Sequence, residues 1–138
     1  MFSKEVLIGI IISKAVFEIH FSRTDSSKIG YSVSPTICIR ADKRFLRDME
    51  RSLAQQQIKS KYREIESLPR SKPILRIKGI KNTDKLLKMI PEYYSDANSK
   101  LNTYKGIIQQ LVNKEHLTLE GLESIMKTRG ILNGTDND

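Results

Sequence analysis

Residues 7–19 read LIGIIISKAVFEI, an apolar segment that passes into an alternation of apolar and polar residues. Its first part is apolar on every side, and Ser3 stands at the N-cap position of a helix that we expect to reach about Lys14. A helix that is apolar all round is buried, either in the core of its own chain or between two subunits. Gly9, in the middle, costs about 1 kcal/mol of helix propensity. Its presence there predicts the close approach of another backbone.

Apolar and polar residues alternate directly after this helix, with the period of a half-buried strand. A turn-rich loop at residues 24–30 and a second alternating strand follow. Pro35 cannot donate a ladder hydrogen bond, so it predicts a sheet edge or a bulge. The face of the predicted sheet that takes the helices carries Phe17, Ile19, Phe21, Val33, Ile37, Ile39, Leu75 and Ile77.

The rest of the chain predicts a helix opened by Asp42, strands at 59–65 and 73–78, and a helix capped by Asn82 or Thr83 that ends at Pro91. Two more helices are predicted at 98–113 and 119–128. The expected fold is α+β: an αββαββα unit whose four-stranded antiparallel sheet has helices on one face, with extra C-terminal helices. We interpret residues 1–138 as one domain, with the αββαββα core at 1–90 and a helical extension at 91–138.

The charge is high and unevenly placed. The chain has 24 Lys and Arg against 16 Asp and Glu, a net charge of +8. Residues 1–90 hold 19 basic and 9 acidic residues, net +10, whereas residues 91–138 hold 5 and 7, net −2. Such a balance attracts polyanions, meaning nucleic acid or anionic lipid. The surface that binds a polyanion is therefore expected in the first two thirds of the chain.

Cysteine and histidine are scarce. Cys38 is the single cysteine and His20 and His116 are the two histidines, so no intrachain disulfide and no zinc cluster are expected. The apolar run at residues 6–12 is too short to span a bilayer, and no membrane partner is expected. We therefore expect a cytoplasmic or otherwise intracellular protein, at the nucleoid, at the ribosome or in an organelle.

The opposite face of the predicted sheet is polar and mostly basic. A twisted sheet with a cationic face fits along a nucleic-acid groove, although a solvated outer face that resists aggregation gives the same pattern. Tyr31 and Tyr62, on or near the strands, are candidates for stacking on bases. The nine residues predicted on this face are Glu18, His20, Thr36, Arg40, Lys59, Lys61, Arg63, Arg76 and Lys78.

Three segments resemble the LAGLIDADG homing endonucleases. Residues 7–19 resemble the LAGLIDADG signature with its trailing G-S-F-E-I, matching at Leu7, Gly9, Ile11 and residues 17–19. Residues 31–39, YSVSPTICI, resemble the second strand of that family. Ser99–Lys100 with residues 115–122, EHLTLEGL, resembles the C-terminal helical segment of its single-motif members.

The resemblance implies that two signature helices pair at the centre of a dimer, where each brings an acidic residue to a divalent metal. The paired sheets then form a saddle over a long, roughly palindromic DNA site. It places Leu7, Ile8, Gly9, Ile11 and Ile12 at the dimer interface. The chain departs from the pattern at Lys14, which occupies the position of the metal-binding aspartate, and also at Ile12 and Ile8.

An ammonium cannot ligate a divalent cation, whereas Mg²⁺ requires oxygen ligands. We therefore predict a nucleic-acid-binding protein related to homing endonucleases that does not cleave, with no catalytic residue, no metal ligand and no cofactor. Lys14 would hold a phosphate instead. The expected partners are DNA or structured RNA, and a second copy or a nucleoprotein assembly.

Three alternatives stay open. One is an active, Mg²⁺-dependent DNA endonuclease with a differently built metal site. Another is a structural RNA-binding, ribosome-associated protein. The third is a protein–protein module in which the apolar first helix is the binding element. Metal-dependent cleavage separates the first alternative from the prediction, and salt-sensitive nucleic-acid binding separates the last.

Overall fold

The structure is a computed structural model and describes residues 1–25, 28–65, 72–96 and 99–135. The predicted α+β class and the αββαββα order followed by C-terminal helices are confirmed. A 3₁₀ turn, Glu115–Leu117, precedes the last helix. The helices are α1 Lys4–Lys14, α2 Lys43–Gln55, α3 Ile80–Met89, α4 Glu92–Asp96, α5 Ser99–Val112 and α6 Leu119–Thr135, and the strands are β1 Val16–Arg23, β2 Tyr31–Arg40, β3 Lys61–Arg63 and β4 Ile74–Lys78.

The four strands form one antiparallel sheet in the order β1-β2-β4-β3. Strands β1 and β2 pair along their whole common length, from Val16 opposite Cys38 to Arg23 opposite Tyr31. Strand β4 pairs with only the second half of β2, from Thr36 to Arg40. The first half of β2 and the end of β1 therefore continue as a two-stranded ribbon beyond the other strands.

Pro35 lies just outside the part of β2 that pairs with β4, so the predicted edge is present locally although β2 is a central strand from Thr36 onward. It pairs with Ile19 of β1. On the other side, its carbonyl oxygen accepts a hydrogen bond of 3.1 Å from the Gly79 N–H, one residue beyond the end of β4. The missing N–H therefore falls where the ladder with β4 has already stopped, and a proline is tolerated there.

The core lies between the sheet and the helices. All eight apolar residues predicted on the helix-covered face of the sheet belong to this core or pack against it. Leu7 and Ile11 of α1, Leu46 of α2 and Leu86 of α3 are fully buried in it. Residues from the C-terminal extension enter the same cluster, among them Leu101, Tyr104, Ile107, Leu111, Leu122 and Ile125.

The first two helix starts were predicted correctly. The Ser3 hydroxyl accepts from the Val6 N–H at 3.3 Å, and the Asp42 carboxylate accepts from the Phe45 N–H at 2.9 Å. The cap predicted for α3 is wrong, because Gly79 is its N-cap. Asn82 and Thr83 lie inside the helix and donate their side-chain hydrogen bonds back to the carbonyls of Lys78 and Gly79.

The short helix α4 was not predicted, and β3 is shorter than the predicted strand at 59–65. Helices α5 and α6 confirm the two predicted C-terminal helices, although α6 continues past Thr128 to Thr135. Within the described part of the chain, no helix has both the length and the apolar character needed to cross a membrane.

Candidate nucleic-acid interface

The strand register places the side chains of the predicted polar face next to one another, in rows that run across the strands. One row runs from Glu18 through Thr36 to Lys78, and a second from Cys38 through Arg76 to Lys61. A third row contains Arg40, Ile74 and Arg63. The cations come from three different strands, so a flat ligand can contact several of them at once. Residues of this face that remain accessible, here called the basic face, are Glu18, His20, Arg40, Lys61, Arg63, Arg76 and Lys78.

Two residues of the predicted set do not belong to the basic face. Lys59 precedes β3, and its backbone N–H donates to the Asn82 side chain at 3.3 Å. Thr36 has the predicted orientation but is only 4% exposed, because its neighbours cover it. The prediction that Lys59 lies on the strand is therefore corrected, whereas the ligand contact predicted for Thr36 stays a prediction.

Tyr62 also faces away from the basic face. It is opposite Leu75, a core residue, and the Arg47 guanidinium lies 4.0 Å from the centroid of its ring. This position rules out the predicted stacking of Tyr62 on a base from the basic face. Tyr31, at the start of β2, is 38% exposed and stays accessible.

Glu18 is the carboxylate of the basic face, and it is held by two neighbours. The Cys38 thiol donates to Glu18 Oε1 at 3.0 Å, and His20 Nε2 lies 3.7 Å from the same oxygen. Burial and the hydrogen bond to Glu18 together raise the pKa of Cys38 to about 12, so the thiol stays protonated at neutral pH. The contact between Cys38 and Glu18 was not predicted, because it depends on the strand register.

Two cations of the basic face oppose the effect of burial on Cys38. The charges of Arg40 and Arg76 act to lower the pKa of the thiol. Arg76 is the residue opposite Cys38 on β4, and Arg40 follows Cys38 by two residues on the same side of β2. The Cys38 position therefore has one carboxylate, Glu18, and two cationic residues as neighbours on the basic face.

Helix α1 is divided between the core and the surface. Leu7, Ile8 and Ile11 are 7% exposed or less within their own chain. These three residues pack into the core of their own chain, and their predicted contact with a second copy stays a prediction. Gly9 is exposed, a Cβ built on it meets nothing within 4 Å, and Ile12 is half-buried.

The accessible side of α1 carries small side chains around Gly9. Val6 is 51% exposed, and the Ser13 hydroxyl is tied to the Gly9 carbonyl at 2.7 Å. Val6, Gly9 and Ser13 are spaced three and four residues apart, so they lie on one side of the helix. The backbone predicted to approach Gly9 does not come from the described part of this chain, which leaves this side open to a partner.

Lys14 ends α1, and its ammonium lies 5.5 Å from the centroid of the Phe45 ring. It is exposed, and it stands at the C-terminal end of the helix, where a positive charge is stabilised by the helix dipole. Within the described ranges, no three His, Cys, Asp or Glu side chains are grouped so that they could hold a metal ion. Lys14 offers an ammonium at the position where a divalent cation needs an oxygen ligand.

No family model matches the chain, and no curated protein matches it. Solved structures do. The crystal structure of the homing endonuclease I-TnaI matches with a TM-score of 0.75 at 21% identity, over 93% of this chain and 86% of that one. The archaeal intron-encoded homing endonuclease I-Vdi141I, complexed with DNA, gives 0.77 at 18% identity over 95% and 82%. The LAGLIDADG meganuclease I-CpaMI, bound to uncleaved DNA, gives 0.69 at 20% identity over 88% and 42%.

The chain has the LAGLIDADG fold. This result confirms the fold that the resemblance of residues 7–19 implied. The match covers most of I-TnaI and I-Vdi141I but less than half of I-CpaMI. A single copy of the LAGLIDADG fold therefore accounts for the described chain.

Proposed function

We propose that this protein binds duplex DNA with the basic face and leaves the DNA uncut. The observation that carries the proposal is the cluster of accessible cations on three adjacent strands, on the one face of the sheet that the helices leave free. Two proteins of the same fold, I-Vdi141I and I-CpaMI, are described in complex with DNA. Their structures support duplex DNA over other polyanions as the ligand.

The chemistry of the basic face suits a duplex. Lys61 and Arg76 are direct cross-strand neighbours, and Lys78 follows two residues later on the same side of β4. Cations at this spacing neutralise successive phosphates and release their counterions. A pair of strands fits into the major groove, where base edges are also within reach.

The absence of cleavage follows from Lys14. A metal-dependent nuclease stabilises the attacking and leaving oxygens of the phosphodiester with divalent cations held by carboxylates. Lys14 places a positive charge at the position that the sequence resemblance gives to such a carboxylate. Its ammonium repels a second cation but attracts a phosphate, so the end of α1 suits binding rather than hydrolysis.

The accessible side of α1 supports a homodimer as the binding unit. Small residues allow two helices to approach closely, and Gly9 leaves the space for such a contact. A two-fold axis at Gly9 is the simplest arrangement, because the same surface then serves both subunits. Such an axis also places two Lys14 side chains on the same dimer.

The salt dependence of binding tests the proposal. On duplex DNA, the logarithm of the affinity falls against the logarithm of salt concentration by about 0.9 for each phosphate contact. Replacing Lys61 and Arg76 by alanine should flatten this slope by roughly two contacts on that rule. The matched control replaces Lys114 and Lys127, exposed lysines outside the sheet, and should keep the wild-type slope.

Three outcomes would overturn the proposal. An unchanged slope in the Lys61/Arg76 double variant would mean that the basic face is only solvated. Preferential binding of structured RNA over duplex DNA would favour the ribosome-associated alternative. A chelator-sensitive nick or double-strand break made by the wild type with Mg²⁺ would favour the active endonuclease.

A further inference from the structure

Glu18 has the wrong charge for a surface that only contacts phosphates. It shares its row with Lys78, and the next row along the strands contains Arg76 and Lys61. Its side chain is 35% exposed, so it stays within reach of a ligand on the basic face. An ionised carboxylate is an acceptor only. Facing a duplex, it is repelled by every phosphate, and the partners it can accept from are the donors on base edges.

The carboxylate is also fixed in place. Oε1 accepts from the Cys38 thiol, which is 1% exposed beneath it, and lies near His20 Nε2. Both contacts use the same oxygen. The two contacts fix this carboxylate oxygen on the sheet, an arrangement typical of a preorganised acceptor.

The pattern of donors in the major groove selects one base. Guanine presents acceptors only, and thymine presents an acceptor and a methyl group. Adenine presents its N6 amino donor beside the N7 acceptor, which repels a carboxylate. Cytosine presents the N4 amino donor with no acceptor of its own in the groove.

We propose that Glu18 is a specificity-determining residue that accepts a hydrogen bond from the N4 amino group of a cytosine, and that Cys38 is its positioning residue. The proposal rests on the proposed function, since it requires the basic face to lie in the major groove of a duplex. The cations of the basic face give affinity without sequence preference, whereas Glu18 would recognise one particular nucleobase.

The test begins with selection from a library of randomised DNA duplexes. The wild type should enrich a cytosine at one position of each half-site. In Glu18→Ala, the preference for cytosine over the other bases should fall about tenfold, which is the scale of a good base contact. The base preferences at the other positions of the DNA site should not change. Glu123→Gln removes one negative charge from α6 and is the matched control, which should select the same sequences as the wild type.

A chemical cycle then identifies the atom. The selected cytosine is replaced by a pyrimidin-2-one deoxynucleotide, which lacks the N4 amino group. The wild type should lose about tenfold in affinity. Glu18→Ala should lose little more than it has already lost, because the two changes remove the same hydrogen bond.

The role of Cys38 has a test of its own. Cys38→Ala removes the donor that holds Oε1 and should weaken the cytosine preference, whereas Cys38→Ser keeps a hydroxyl donor and should restore it. The readout is the base preference at that position, which a general loss of stability does not change selectively. Thermal unfolding of both variants shows whether each is folded.

Failure of this inference differs from failure of the proposed function. If Glu18→Ala keeps the sequence preference of the wild type and still binds DNA in a salt-dependent way, the proposal for Glu18 is overturned. The proposed function is not affected by this result. The same holds if Glu18→Ala and the pyrimidin-2-one substitution have additive effects. A wild type that binds no duplex would overturn both.

Discussion

The hydroxyl of Tyr104, on α5, lies 3.0 Å from the main-chain oxygen of Glu18, on β1. It also lies 3.3 Å from the carbonyl oxygen of Thr36 on β2. Burial raises the pKa of Tyr104 above its ordinary value, so the hydroxyl remains a donor at all physiological pH. The C-terminal extension is therefore bonded to the two strands beneath the Glu18–Cys38 contact.

Tyr104→Phe should lower the free energy of unfolding by about 1 kcal/mol, because it removes a buried donor while keeping the ring. Chemical denaturation measures the change. Tyr93→Phe, on a ring that is 64% exposed, is the control and should have no effect. Equal stabilities for Tyr104→Phe and the wild type would show that the hydroxyl contributes nothing.

Gly9→Leu should leave the fold intact and abolish self-association. A Cβ built at Gly9 meets nothing within 4 Å in the described chain, so we expect the penalty for a larger side chain to come from a partner. Sedimentation velocity should show a dimer for the wild type and a monomer for the variant. Gly106→Leu, an exposed glycine of α5 with equally open surroundings, should remain dimeric. A monomeric wild type would contradict the expectation.

Lys14→Asp should create Mn²⁺ affinity at the end of α1, because a carboxylate supplies the hard oxygen ligand that is missing there. Calorimetric titration of the two proteins with Mn²⁺ measures the difference. Lys4→Asp makes the same charge change at the other end of the helix and should not bind the ion. Equal Mn²⁺ binding by the wild type would show that Lys14 does not prevent it.

Stability should fall on mild acidification because of His116. Burial lowers the pKa of its imidazole below the ordinary 6.5, and Nδ1 has no hydrogen-bond partner among the described residues. The unfolded chain therefore binds a proton at a higher pH than the folded chain does. The contribution of neutral His116 to the free energy of unfolding is fully present above about pH 6.5 and decreases as the pH falls below that value.

Melting temperatures measured between pH 7.5 and 5 should decrease less for His116→Asn than for the wild type. Asparagine keeps a polar side chain of similar size at this position but does not titrate. Identical pH profiles for the two proteins would exclude His116 as a source of the acid sensitivity.

The parts of the fold that the sequence predicted are those set by local patterns. Ser3 and Asp42 cap helices as their positions indicate, and the alternation around Ile19 and Ile37 assigns both faces of the sheet. The cap of α3 was missed because an asparagine side chain can bond backward to a carbonyl inside a helix as well as forward at its start. Asn82 does the former.

The candidate site depended more on tertiary structure. Alternation placed Arg76 and Lys61 on the polar side, but only the register makes them neighbours. The burial of Thr36 and the contact between Cys38 and Glu18 join residues 18 or more positions apart, and no local pattern predicts them. For α1, periodicity could not say which side faces the core, because the helix is apolar all round.

The full length of β2, including the ribbon that extends beyond β4, sets a length scale for the ligand. At about 3.3 Å per residue, a ten-residue strand such as Tyr31–Arg40 extends roughly 33 Å. One turn of B-form DNA rises about 34 Å over some ten base pairs. A strand of that length therefore covers at most one helical turn of the duplex, and two copies related by a dyad would protect at most two adjacent turns.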